Sequence, residues 1–117
     1  MATEPQPLTL SQAVHRAVEA CDPDGADERL ADLLARFEDR DEPISALTDV
    51  EQQMDEATGA LDPERDDPAL TMAGAIVTYL AFRRDAVDND DDRLIELAAE
   101  AEFHGSPPEN VAAWLAA

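Results

Sequence analysis

Three side chains of this sequence have types suited to nucleophilic attack, proton transfer or soft-metal binding: Cys21, His15 and His104. A thiol attacks only as its thiolate, which needs a neighbouring base or cation, and zinc sites announce themselves by paired ligands such as Cys-x-x-Cys. Positions 15, 21 and 104 contain no such pairing, so a small metal- or thiol-dependent enzyme would require the fold to gather them. Cys21 continues the helically spaced series Leu10, Val14, Ala17 and Val18, and therefore reads as packing. The chain has no glycine-rich phosphate loop, nucleophile elbow or dinucleotide fingerprint. No catalytic residue, cofactor-binding residue or metal ligand is assigned.

Oxygen ligands are abundant, with 28 acids against 8 bases, and two constellations could use them. A calcium loop needs oxygen donors at positions 1, 3 and 5, glycine at 6 and glutamate at 12. Asp88, Asp90 and Asp92 supply the first three, but Arg93 stands in the glycine's place and Ala99 in the glutamate's. A loop begun at Asp22 meets Gly25 too early. A carboxylate-bridged di-metal bundle needs Glu-x-x-His pairs on inward faces. Glu96, Glu100 and His104 align along one helix face, but Leu97, Ala98 and Ala101 claim the buried side. Cations are expected to bind loosely, with no dedicated site.

Two helical stretches joined by Phe103-His-Gly-Ser-Pro-Pro108 have the outline of a helix-turn-helix, whose second helix should present basic or amide side chains to a groove. Residues 109–117 offer Glu109 and Asn110, and Arg83-Arg84 is the one basic cluster. Phosphate neutralisation needs more positive charge than this, so direct nucleic-acid binding is not expected. The reverse use of charge, an acidic mimic that occupies a DNA-binding protein, is an alternative reading.

The distribution of charge speaks against that alternative. Residues 1–58 carry 15 acids and 4 arginines, a net of −11, and residues 59–117 carry 13 acids and 4 arginines, a net of −9. A tail built to grip one basic partner would be lopsided. All eight bases are arginine and lysine is absent, although the chain carries a formal charge of −20. Such self-repulsion opposes a compact state, but concentrated salt shortens the Debye length to about 3 Å at 1 M. The composition therefore reads as adaptation to molar salt.

One cysteine excludes an internal disulfide, and no positively led apolar segment opens the chain. The longest uncharged run, Pro68–Phe82, has 15 residues, short of the roughly 20 that span a bilayer. A cytoplasmic protein that does not enter membranes is expected.

Apolar residues make up 44% of 117 residues, enough for one core, while aromatics contribute only 4%. Ala and Leu carry the packing, and both favour helix. Residues 1–7 read as a flexible arm and residues 8–117 as a single helical domain. Thr9 and Gln12 form a capping box before the first helix, which the turn at Cys21–Gly25 ends. A second helix starts near Asp27, presents Leu30, Leu33, Leu34 and Phe37, and is stopped by Pro43. A third shows Leu47, Val50, Met54, Ala57 and Leu61, with Gly59 at its end. Residues 62–68 read as an internal linker. Asp67 as N-cap and Pro68 at the first position open a fourth helix, apolar on nearly every side and so central. A fifth buries Leu94, Ile95, Leu97, Ala98 and Ala101 and closes at Gly105. Ser106 and Glu109 form a second capping box before a short sixth helix whose Val111, Trp114 and Leu115 face inward. No stretch alternates with period two, so the expected fold is all-α, a compact bundle of five or six helices.

An internal echo bears on the architecture. Asp27-Glu-Arg-Leu-Ala-Asp-Leu33 resembles Asp91-Asp-Arg-Leu-Ile-Glu-Leu97 at an offset of 64, and Pro43 then matches Pro107. Either two pseudo-symmetric three-helix halves exist, or two acidic amphipathic helices have converged. With no chemical constellation intact, the leading functional expectation is a non-enzymatic protein–protein interaction module or small subunit of an assembly, with a protein partner or self-association. Trp114 and Leu115 are the first candidates for the contact, since an interface formed in molar salt must be apolar at its centre. Circular dichroism should show helix growing as potassium chloride rises from about 0.1 M to about 2 M. Full helicity and an unchanged melting temperature at the lower concentration would contradict the salt-adapted reading.

Overall fold

The first helix begins where the sequence places it. In the computed structural model, which describes residues 8–117, the Thr9 side chain accepts from the Gln12 N–H at 3.1 Å. Gln12 Oε1 in turn accepts from the Thr9 N–H at 3.0 Å. Helix α1 spans Leu10–Cys21, α2 Glu28–Arg36, α3 Val50–Leu61, α4 Pro68–Phe82, α5 Asp91–Phe103 and α6 Glu109–Ala116. Short 3-10 turns lie at Ile44–Ala46 and Arg84–Asp88. The described residues form an all-α bundle without a β-strand; Thr9 and Pro43 make one isolated bridge. The expected arm at 1–7 lies outside the described residues.

The uncharged run forms the centre. Nine of the 15 residues of α4 are buried, among them Leu70, Met72, Ile76, Val77 and Leu80. Its N-terminus is held by Asp67, whose carboxylate accepts from the Ala69 and Leu70 N–H groups at 3.1 and 3.3 Å. Close approach of α3 depends on Gly74, where an added Cβ would lie 3.3 Å from the Thr58 methyl. The other helices coat α4 with one stripe each: Leu10, Ala13, Val14 and Ala17 from α1, Leu30 and Leu33 from α2, Met54 and Ala57 from α3, Leu94 and Ala98 from α5, Val111 from α6. The C-terminal end of α4 departs from expectation: Tyr79 is half-buried and Phe82 is exposed.

Other boundaries also differ from the sequence reading. Helix α2 ends at Arg36, well before Pro43, because residues 38–44 fold back to supply acceptors for the start of α1. The Leu10 N–H donates to the Glu42 carbonyl and the Ser11 N–H to the Arg40 carbonyl, both at 2.9 Å. Leu47 precedes α3, and Gly59 lies inside it. Ser106 does not cap α6; Pro108 occupies the N-cap without a side-chain bond. On α5 only Leu94 and Ala98 are buried, while Ile95 and Leu97 are half-buried and Ala101 is exposed.

The 64-residue echo does not extend through the fold. Pro43 precedes a 3-10 turn, whereas Pro107 leads into α6, and Val50 is buried in α3 while its match Trp114 is only half-buried. A different spacing does repeat. Displaced by 40 residues, α1 falls on α3 at both ends, Glu28 on Pro68, and Ile44 on Arg84. The connecting turns agree as closely. Asp22 and Asp62 both sit at φ −146°, with ψ 66° and 70°, and are followed by Pro23 and Pro63. Asp22 accepts from the Ala26 and Asp27 N–H groups at 3.0 and 2.9 Å, and Asp62 from those of Asp66 and Asp67 at the same distances. Gly25 and Arg65 both take positive φ, 67° and 56°. Residues 62–67, within the stretch expected as a linker at 62–68, form a closed turn with a buried Asp62. Helices α5 and α6 repeat the spacing once more at 41 residues, with a different turn built on His104 and Gly105.

A guanidinium fastens the third hairpin to the first. Arg16 donates to the Val87 carbonyl at 3.2 Å, the Asn89 carbonyl at 2.8 Å and the Asp91 carboxylate at 2.7 Å. Leu80→Ala should cost about 2–5 kcal/mol in chemical denaturation, since Leu80 is fully buried among aliphatic neighbours. A loss below about 1 kcal/mol would mean that α4 is not the packing centre.

Candidate functional site

The residues singled out for chemistry lie apart. His15 is exposed midway along α1, Cys21 is half-buried at the C-terminal end of the same helix, and His104 is exposed beyond α5 in the left-handed conformation. Burial, then the charges of Asp67, Asp91 and Asp22, push the Cys21 thiol up to about 12, so no thiolate forms near neutrality. Among the described residues no group of three or more His, Cys, Asp or Glu side chains could hold a metal ion. Asp88 ends the 3-10 turn and Asp90 caps α5 through the Arg93 N–H at 2.8 Å, so the Asp88–Asp92 segment serves as a helix start. Glu96 and Glu100 are exposed on the outer face of α5.

Trp114 and Leu115, by contrast, share a depression. They line a groove of about 810 Å³ together with Asp92, Ile95, Glu96, Ala99 and Glu100 of α5 and with Gly105 and Pro107 of the turn. The α5 members recur at helical spacing and form one stripe along the wall. Ile95, Ala99, Trp114 and Leu115 are half-buried, whereas Asp92, Glu96 and Glu100 are exposed. The wall is thus apolar at its base and acidic along its outer edge. Arg93 reaches Glu96 at 3.3 Å across an exposed surface and neutralises little of that edge. The α6 side of the groove is formed by Trp114, Leu115 and Ala117, with no acidic side chain. Sequence reasoning named Trp114 and Leu115 and assigned Ile95 to the core; Ile95 and its neighbour at i+4, Ala99, pack against the core but are only partly covered.

The far side of Trp114 borders a second surface, built where the two Asp-Pro turns meet. Cys21, Asp22, Ala26, Asp27, Glu28, Arg29, Asp67 and Ala69 surround it. Arg29 bridges to Asp62 across the turns at 3.3 Å. For Asp62 burial alone would raise the carboxyl pKa, but the N–H groups of Asp67 and Asp66 and the charges of Arg29 and Arg65 outweigh it and hold the group below its usual range. Asp67 behaves oppositely: burial, a hydrogen bond from carboxyl to carboxyl with Asp27, and the Asp27 charge push it up to about 6. Both acids cap helices, so they are held side by side, and two adjacent carboxylates resist ionising together.

A smaller cavity of about 130 Å³ lies between α3, α4 and the α5–α6 turn, lined in part by Thr58, Thr71 and Thr78. All three hydroxyls donate to carbonyls four residues earlier, Thr58 to Met54 at 2.8 Å, Thr71 to Asp67 at 3.4 Å and Thr78 to Gly74 at 3.0 Å. Among the described residues no helix is long and apolar enough to cross a membrane. No protein-family model, curated protein or solved structure matches the chain.

The Asp27–Asp67 contact sets a pH dependence whose sign is unusual for a carboxylic acid. A folded-state pKa above the unfolded value adds stability that is complete below about pH 4 and is lost as pH rises through about 6. Asp62, with its lowered pKa, works the other way and is lost only in stronger acid. At constant molar salt the melting temperature should therefore rise as pH falls from about 7.5 to about 5. Asp67→Asn keeps an N-cap acceptor and donates permanently to Asp27, so it should raise the value at the higher pH and flatten the trend. Exposed Asp24→Asn should leave the slope alone. Equal slopes in the native chain and Asp67→Asn would show that the two carboxyls do not share a proton.

Proposed function

We propose that this protein is a non-enzymatic interaction module, a small subunit or adaptor adapted to concentrated salt, and that it engages another protein through the α5–α6 groove. The observation that carries this reading is the half-covered quartet Ile95, Ala99, Trp114 and Leu115, an apolar floor beside an acidic edge. Stable interfaces have that anatomy, an apolar centre with a polar rim, and tryptophan is enriched among the residues that dominate binding energy. Long-range attraction is screened in molar salt, so apolar contact must supply most of the affinity there. Charge spread along the whole chain gives less support to a nucleic-acid mimic, which needs its carboxylates arranged as a strand of phosphates.

Site-specific photo-crosslinking tests the reading. A photoreactive side chain at exposed Ala116, next in sequence to the groove-lining Leu115, should capture a defined second protein in cells. The same group at exposed Glu19 of α1 should capture none, or different ones. Leu115→Arg in the Ala116-labelled chain should abolish capture while leaving helicity intact. Indistinguishable products from Ala116 and Glu19 would refute an interface at α6.

A further inference from the structure

The two walls of the groove differ in a way that specifies what can lie in it. On the α5 side, Asp92, Glu96 and Glu100 are exposed at i, i+4 and i+8 and form a rail of negative charge. At 1.5 Å per residue this rail runs for about 12 Å, slightly over two helical turns. On the α6 side, Trp114, Leu115 and Ala117 line the groove and present no acidic side chain, so Trp114 and Leu115 form an apolar wall facing the rail.

Resting on the interaction reading above, we infer that the groove takes an amphipathic helix of a partner protein whose apolar stripe is flanked by arginine or lysine on one side only, the side that faces α5. Anchors at i, i+3 or i+4, and i+7 of such a helix would meet Ile95, Ala99, Trp114 and Leu115. Cations along one flank would reach Glu96 and Glu100 at contact distance, where salt screens less than it does over a Debye length. The other flank would lie toward Trp114, Leu115 and Ala117, where no acidic side chain calls for a cation. The rail therefore sets orientation and register, and the apolar floor supplies affinity. A second copy of this chain is a poor occupant. It carries a formal charge of −20, and its basic doublet, Arg83-Arg84, lies beside Asp85. An acidic helix would place like charges along the rail, which costs affinity.

Trp114 is the only tryptophan, so its fluorescence reads the groove directly. The probes are synthetic helical peptides of about four turns, free of tryptophan and tyrosine, with one leucine stripe. They carry arginine on one flank, on the mirror flank, on neither, or glutamate in its place. The peptide with arginine on the α5-facing flank should bind about two- to fivefold more tightly than its mirror-flank and uncharged counterparts, as exposed ion pairs allow. Glu96→Gln combined with Glu100→Gln, both at exposed positions, should erase that preference and leave the uncharged peptide's affinity unchanged. Leu115→Arg should abolish binding of every peptide.

Equal affinity for the two arginine arrangements, or preference surviving Glu96→Gln/Glu100→Gln, would overturn the inference about the rail. So would a concentration-dependent change in Trp114 emission without peptide, which would make a second copy the occupant. Ala116 crosslinks to a partner whose captured segment lacks a basic flank would overturn this inference alone. Absence of crosslinks at Ala116, with peptides binding as expected, would instead count against the cellular interaction reading.

Discussion

The fold depends on covering α4. A helix that is apolar on nearly every side has no face to leave in water, so it must be enclosed, and with so few aromatic residues the enclosure has to be made by many small aliphatic contacts. Five amphipathic helices each contribute one narrow stripe to it. That arrangement explains why helices as short as α2 and α6 persist: packing on a shared centre stabilises them more than their own propensity does. It also explains where the 28 acids can go, since every position not turned toward α4 is left for charge.

Two Asp-Pro turns solve the problem of ending one helix and starting the next within six residues. Asp22 and Asp62 sit at the C-terminal caps of α1 and α3 and accept the N–H groups that lead into α2 and α4, while Asp27 and Asp67 satisfy the next N–H groups as N-caps. A carboxylate near a helix C-terminus opposes the helix dipole, and its backbone hydrogen bonds offset that cost. The repeat of this device at 40 residues brings both turns together. Meeting there, they create the carboxyl pair of Asp27 and Asp67 and the cross-turn bridge from Arg29 to Asp62. Local capping chemistry thus produces a tertiary contact that neither turn contains alone.

The third hairpin keeps the spacing and loses the device. With no aspartate at its turn, α5 ends through His104 and Gly105 in left-handed conformations, and α6 starts on Pro108 without a side-chain cap. Arg16 compensates by binding two carbonyls and one carboxylate ahead of α5. Helices α5 and α6 pack on α4, and among the described residues no other helix lines the groove beside them. Ile95, Ala99, Trp114 and Leu115 are left half-covered for that reason, and the candidate site is the unfinished edge of the repeat.

Sequence alone determined what local chemistry controls: the all-helical class, the capping box at Thr9, the helix start near Asp27, the cap at Asp67, Pro68 at the start of α4, and the centrality of α4 itself. These follow from side chains acting on backbone groups a few residues away, or from a run with no charged residue to expose. Tertiary structure decided what distant residues supply. The end of α2 moved forward because Arg40 and Glu42 carbonyls are needed at the start of α1, where they accept from the Ser11 and Leu10 N–H groups. The true repeat was hidden because α1 and α3 share spacing and turn chemistry but few identical residues, while the 64-residue echo matched solvent-facing acids that any salt-adapted helix uses. Ile95 and Ala99 carry the apolar character of core residues, and whether they are covered depends on how many helices arrive to cover them.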